Sequence, residues 1–333
     1  MITYILQNHL PDIFGFLVVF ALCAYCILDG FDLGVGMLLV RYKSRVQKDS
    51  IIGSIAPFWD ANETWLVLYV GLITIAFPKA HGEILGKLYI HIFVLLFFLI
   101  LRGVSFELRL KTANYSLWSN IFMISSFGMS FAIGHMIFYY ISGFSDGIVE
   151  FVACCSGGMA FIMAFAILGE LWITCTQKSV VIDFSAYKKH SGNIIGSLYG
   201  FVLFAMLAYA LLFHKNEIMW ERLIEMRYCG ATVIAMHIVA GCIAAYVWRF
   251  IYSWANFVTL IAIFFFFATF FAFSAMVVYP YISPYNILLV DGAAHEKSLI
   301  AILISALIFV PLLLSYTVIV HIAFRGKLHD IDY

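Results

Sequence analysis

Leu28-Asp29-Gly30-Phe31-Asp32-Leu33-Gly34-Val35-Gly36 closes an apolar run that opens near residue 11, and its reading decides the fold. About 20 predominantly apolar residues suffice to cross a bilayer, and this run is longer than that while carrying two aspartates in its second half. The rest of the chain agrees. Of its 333 residues 64% are hydrophobic and 11% charged, with a mean hydropathy of +1.00. A typical soluble domain is about half apolar and about a quarter charged, so too little polar surface remains here to cover a water-soluble globule. A soluble enzyme and a disordered chain are excluded. So is a nucleic-acid binder, because 19 basic residues balance 19 acidic ones and leave no net field for a polyanion. Seven cysteines, at 23, 26, 154, 155, 175, 229 and 242, fall almost entirely within apolar runs, which argues against a secreted disulfide scaffold.

Nine segments qualify as spans, roughly 11–40, 57–77, 85–108, 117–142, 149–176, 192–213, 228–250, 254–279 and 298–324. They are continuous and long, whereas strands of a membrane barrel alternate over about 10 residues, so the fold class is all-α. The expectation is a polytopic protein of nine transmembrane helices, with residues 1–333 forming a single integral membrane domain. The first run has no basic leader and continues through Asp29 and Asp32, so it is not a cleaved signal. Pro11 and Pro57 are expected to open helices, Pro78 and Pro280 to close them, and Pro311 to kink the last. No internal repeat or low-complexity linker interrupts the pattern.

Lysine and arginine set the orientation. One face holds Arg41, Lys43, Arg45, Lys48, Arg109, Lys111, Lys178, Lys188, Lys189, Arg249, Arg325 and Lys327, twelve in all. The other holds six: Lys79, Lys87, Lys215, Arg222, Arg227 and Lys297. The richer face is expected to be cytoplasmic, with the N-terminus outside and the C-terminus inside.

The spans contain, among other ionisable residues nearer their ends, Asp29, Asp32, Asp60, Glu63, Arg102, Glu107 and Glu170. Each such charge costs about 2.5–3.5 kcal/mol near the bilayer centre on insertion scales, so their presence calls for a reason. At about 1.5 Å rise per residue, all seven lie in the cytoplasmic half. Asp29/Asp32 and Asp60/Glu63 are spaced i, i+3 and therefore share a helix face. Three readings stand at this point: a proton path beside one arginine, an ion-pair network locking helices together, or solvated helix ends. Glu107, followed at once by Arg109 and Lys111, suits the last.

Other motifs carry less. His91, His135, His237 and His321 lie on four different helices without matched facing pairs, so packing or hydrogen bonding explains them better than metalloporphyrin ligation. Cys23-x-x-Cys26 lies mid-helix and reads as small apolar packing. The glycines of residues 30–36 lack the strand and Lys-Ser/Thr of a phosphate loop and read as close helix packing. Trp59 and Trp65 fit an interfacial belt. No nucleophile constellation and no metal motif is present, so no catalytic residue and no metal ligand is expected in this chain.

The segment from Leu28 to Met37, the segment Ser54-Ile55-Ala56-Pro57-Phe58-Trp59-Asp60-Ala61-Asn62-Glu63-Thr64-Trp65, the stretch Arg102 to Arg109, and Phe324-Arg325-Gly326-Lys327 resemble subunit II of the cytochrome bd-type quinol oxidases, including the cyanide-insensitive branch. The resemblance is specific over the first ~110 residues and rests on the nine-helix layout thereafter. It implies two four-helix bundles plus one peripheral helix, beside a haem-bearing subunit I, in the bacterial cytoplasmic (inner) membrane. It also implies that subunit I carries haem b and haem d and the quinol site. Quinol oxidation there releases protons outward, and oxygen reduction to water takes protons from the cytoplasm. Subunit II then stabilises the haem subunit and supplies part of the proton route. By motif, Asp32, Trp59, Asp60 and Arg102 carry over to that route, with Asp29 and Glu63 adjacent and Glu107 and Glu170 as additional intramembrane acids. Some members hold a structural quinone in subunit II, and lipid and small single-span subunits are further expected partners. Gly103 stands where many relatives have proline, which would loosen the helix beside Arg102. Two rivals remain: a free-standing proton-coupled transporter, which should show inverted repeats, and a haem-bearing cytochrome in its own right.

Overall fold

The computed structural model describes residues 2–176, 184–225 and 255–323, and these are almost wholly helical. In chain order they form α1 (Ile2–Leu38), a 3₁₀ turn (Leu39–Arg41), α2 (Arg45–Gly53), α3 (Trp59–Ala76), α4 (Pro78–Lys111), α5 (Tyr115–Ile141) and α6 (Ile148–Thr176). Then follow α7 (Phe184–Lys215), α8 (Glu217–Glu225), α9 (Ala255–Val278), a two-stranded hairpin of β1 (Tyr281–Ser283) and β2 (Ile287–Leu288), α10 (Leu289–Gly292) and α11 (Glu296–Ala323). Eight long helices thus stand among the described residues, matching eight of the nine expected spans. The expected span 228–250, with His237, Cys229, Cys242 and Arg249, lies outside the described residues, as do Lys178, Arg227 and residues 324–327. Six of the described helices are long and apolar enough to cross a membrane. Helix α3 is not among them, because its 18 residues open with Asp60, Asn62 and Glu63.

Charge at the helix ends follows the macrodipole. Asp60, Glu150, Glu217 and Glu296 lie in first turns, and Arg109 and Lys111 in the last turn of α4. Asn216 caps α8 by accepting a hydrogen bond from the Met219 amide at 3.2 Å. The prolines depart from expectation in three places. Pro11 lies inside α1 rather than opening it. Pro57 sits in the turn two residues before α3, whose cap is Phe58. Pro78 does end the run of α3, but it does so as the first residue of α4, where a proline loses no intrahelical bond. Pro280 follows the end of α9 as expected, and α11 runs on through Pro311.

Helix α1 is the axis of the packing, with α3, α5 and α6 against it. Its crossing with α6 is a backbone contact: a Cβ on Gly34 would stand 1.9 Å from the Phe165 carbonyl oxygen and 2.6 Å from the Gly169 nitrogen. The glycine stretch therefore serves close helix packing, as its pattern implied. Cys23, Cys26 and Cys154 are buried free thiols within the apolar core. Beyond α6, phenylalanines of α6, α7 and α9 interlock edge to face, with Phe161–Phe165 at 5.5 Å and Phe201–Phe266 at 5.1 Å. Outward, α4 and α11 present large apolar side chains such as Phe93, Ile100, Leu307 and Leu312. That polarity is inside out for water and right for a bilayer.

Candidate functional site

The charges expected in the spans do not all meet. Asp29 and Asp32 lie one turn apart on one face of α1, Asn62 and Glu63 in the second turn of α3, and Arg102 about 36 Å along α4 from Pro78. These three helices bring their side chains to one point. Arg102 Nη1 donates to Asp29 Oδ1 at 2.7 Å and to Glu63 Oε1 at 3.4 Å, while Nη2 stands 3.8 Å from Asp32 Oδ2. Arg102 and Asp29 are 0% exposed and Asp32 1%. Three carboxylates therefore surround one guanidinium out of contact with water. Asn62 Nδ2 completes the arrangement, donating to Asp32 Oδ2 at 2.8 Å and to the Leu28 carbonyl at 3.3 Å. Asn62 was not singled out from sequence, although it sits between two residues that were. The only signal was an amide in the first turns of a membrane helix, and neutral side chains are easily passed over there.

The other acids go elsewhere. Asp60 is exposed at the start of α3, one turn before Glu63, whose side chain is 18% exposed. Trp59 stacks on Phe106 with ring centroids 5.0 Å apart. Its ring comes within 3.7 Å of where a Gly103 Cβ would stand, and α4 passes Gly103 unbroken. Trp65 is 1% exposed in the core rather than in an interfacial belt. Glu107 is exposed and accepts from Lys111 one turn on.

Glu170 forms a second, separate site. Its buried carboxylate accepts from Arg41 Nη1 at 2.8 Å and from Asn193 Nδ2 at 3.1 Å, tying the end of α1 to α6 and α7. Beside it, burial pushes the Tyr42 hydroxyl up to about 12, with the Glu170 charge adding to the shift, so this phenol stays protonated. Glu170→Gln keeps the Asn193 contact and removes the ion pair. Since Arg41 is 35% exposed and can return to water, the expected loss is about 1–3 kcal/mol of stability. A lowered melting temperature of the purified variant checks it. A third cluster pins the same side of the protein: Asp49 accepts from Arg109 and, at 2.9 Å, from the Tyr115 hydroxyl, with Arg45 4.4 Å above the Tyr115 ring.

The histidines behave differently from expectation in one respect. His91 and His135 do face each other, from α4 and α5, with ring centroids 5.1 Å apart and planes 30° apart, and Tyr139 stacks on His91 at 4.6 Å. Rings stacked in this way do not aim their nitrogens at a common metal. Among the described residues no group of three or more His, Cys, Asp or Glu is placed to hold a metal ion.

Residues 10–324 match the family described as cytochrome bd terminal oxidase subunit II. The chain is similar to the cytochrome bd ubiquinol oxidase subunit 2 of Bacillus subtilis (strain 168), 28% identical over 239 residues that cover 68% of this chain and 70% of that protein. It is similar also to the cytochrome bd-I ubiquinol oxidase subunit 2 of Escherichia coli (strain K12), 34% identical over 127 residues, 37% of this chain and 33% of that one. The fold resembles a chain of the bd oxidase from Geobacillus thermodenitrificans, with a TM-score of 0.76 over 97% of this chain and 99% of that one. At 16% sequence identity the latter likeness is one of fold.

Proposed function

Because this chain belongs to the cytochrome bd terminal oxidase subunit II family, and so is one subunit of a membrane quinol:oxygen oxidoreductase, we propose that its buried Arg102 cluster is a proton-uptake element of that complex. The haems, of b and d type, and the quinol site belong to subunit I, which this chain stabilises. The haems supply electron transfer and oxygen chemistry, while the residues of this chain hold and pass protons.

One observation carries the reading. A structural ion pair needs one carboxylate for its guanidinium, and Arg102 has three around it. Buried ionisable groups in membrane helices are costly, and a surplus of one sign is costlier still. The surplus gives a proton successive oxygens to occupy while Arg102 keeps the site from emptying of charge. Exposure is graded along the way: Asp60 is exposed, Glu63 partly so, and Asp29 and Asp32 are buried. Protons would enter at Asp60, pass one helical turn to Glu63, and reach Asp29 and Asp32 across Arg102. Trp59 closes the flank against Phe106. With the lysine- and arginine-rich face cytoplasmic, the N-terminus outside and the C-terminus inside, Asp60 opens toward the cytoplasm. The chain then sits as one integral domain in the bacterial inner membrane, its exposed apolar faces against lipid and subunit I.

Asp32→Asn is expected to slow oxygen uptake by about 10²-fold, the lower range for loss of a positioned proton-transfer group, with haem content unchanged. Asp60→Asn should slow it only several-fold, since water reaches that position, and Glu107→Gln should match the parent. Turnover and the reduced-minus-oxidised spectrum of the purified complex measure both quantities. Haem and activity falling together would make the cluster a structural lock. A colourless chain that purifies without a haem-bearing partner would instead favour a transporter.

A further inference from the structure

Of the two fully buried carboxylates, only Asp29 is the direct counter-ion of Arg102. Nη1 donates to Asp29 Oδ1 at 2.7 Å, whereas Nη2 stands 3.8 Å from Asp32 Oδ2, beyond hydrogen-bonding reach. The donor that holds Asp32 is neutral: Asn62 Nδ2, 2.8 Å from the same Oδ2. That nitrogen also donates to the Leu28 carbonyl at 3.3 Å. Leu28 lies four residues before Asp32, so its carbonyl is the helical acceptor of the Asp32 N–H as well, and a carbonyl has two lone pairs to share. Asn62, 4% exposed in the second turn of α3, thus grips one turn of α1 at both ends.

The partners fix which way the amide points. An amide has a donor end and an acceptor end, told apart by what they face. Both groups facing Asn62 Nδ2 are oxygens, and the Leu28 carbonyl can only accept. Turned over, the amide would set its own oxygen against that carbonyl, acceptor against acceptor. Asn62 is therefore locked as a donor. Asp32 Oδ2 then has two donors near it, the amide at 2.8 Å and the guanidinium at 3.8 Å. A hydroxyl on Oδ2 would meet their hydrogens. A proton on Oδ1 instead leaves Oδ2 as a carbonyl oxygen that still accepts from Asn62, and the bond between Arg102 and Asp29 is untouched.

We propose that Asn62 is a positioning residue that reserves Asp32 Oδ1 as the atom that takes up and releases the proton, while Asp29 remains the counter-ion of Arg102. The effect on turnover rests on the proton-uptake reading; the choice of oxygen does not.

Infrared difference spectra of the purified complex across a pH step test the choice of oxygen. A carboxylic-acid carbonyl band that Asp32→Asn removes is expected, at the position of a hydrogen-bonded carbonyl. No such band, or one at the position of a free carbonyl, overturns the proposal, and this comparison needs no change at Asn62. Asn62→Leu keeps the size of the side chain and removes the amide, so the band should move to higher wavenumber. A band that stays in place overturns the proposal. Oxygen uptake per haem in Asn62→Leu is expected to fall about tenfold, the lower range for loss of the hydrogen-bonded partner of a site residue. Asn62→Gln, which keeps an amide, should recover most of it. Haem content falling while turnover per haem stays at the parent value would make Asn62 a tether between α1 and α3 and overturn the role. So would parent-like turnover in Asn62→Leu beside a slow Asp32→Asn, which leaves proton uptake standing. Parent-like turnover in Asp32→Asn, with the band moving as expected in Asn62→Leu, would instead overturn proton uptake and leave the choice of oxygen standing.

Discussion

Arg102→Leu is expected to yield no assembled complex: the haem spectrum should be lost from the membrane along with oxygen uptake. The substitution keeps an apolar side chain in α4 but leaves Asp29, Asp32 and Glu63 facing one another without a cation. Removing one partner of a buried ion pair typically costs about 3–5 kcal/mol, because the remaining charge cannot be rehydrated. Here three acids are left behind instead of one, and whole-domain stabilities are only about 5–15 kcal/mol. Arg102→Lys separates assembly from function. Its ammonium keeps the positive charge but is a single point donor, whereas Arg102 reaches Asp29 at 2.7 Å, Glu63 at 3.4 Å and Asp32 at 3.8 Å from two nitrogens. The lysine variant should therefore retain haem and lose most oxygen uptake. Haem per milligram of membrane protein and turnover per haem distinguish the two results. An Arg102→Leu complex with normal haem content would contradict the buried geometry outright.

Gly34→Ala should be nearly as damaging, for a reason that involves no charge. The added Cβ would meet the Phe165 carbonyl oxygen at 1.9 Å and the Gly169 backbone at 2.6 and 2.8 Å. Overpacking usually costs about 1–3 kcal/mol when side chains can shift. These neighbours are backbone, so α1 and α6 must separate along the crossing, and Asp29 and Asp32 ride on the same helix. Gly169→Ala meets the same obstacle from the other side, at 2.2 Å from the Gly34 carbonyl carbon. Gly86→Ala, by contrast, meets nothing within 4 Å. Placed in α4, it should be neutral or slightly stabilising, by up to about 1 kcal/mol. Melting temperatures of the three purified variants rank them. A Gly34→Ala complex as stable as Gly86→Ala would mean that the two helices are not in backbone contact.

The sequence carried the helices because spanning a bilayer is a requirement on one segment at a time. Every backbone hydrogen bond of a span must close within that span, so the length and continuity of apolar runs such as 117–142 and 149–176 suffice to locate α5 and α6. The same one-dimensional reasoning placed Asp29, Asp32, Glu63 and Arg102 at a common depth, since rise per residue converts position to height. It could not tell Asp60 from Glu63. Both lie at the start of α3 on one face, yet one is exposed and the other turns toward Arg102, and that depends on where α4 passes.

Partners distant in the chain were hidden for the same reason. Arg41 meets Glu170 across 129 residues, and Asn62 meets Asp32 across 30. Height along the membrane normal, apolar length and glycine spacing are properties of single helices, and the sequence by itself determined them. Which carboxylates share Arg102 and which acid pairs elsewhere depend on the rotation of each helix about its axis. Only tertiary packing sets that rotation. At about 100° per residue, one side chain points into the cluster and the next toward lipid, and the contacts of α1 with α3 and α6 decide which.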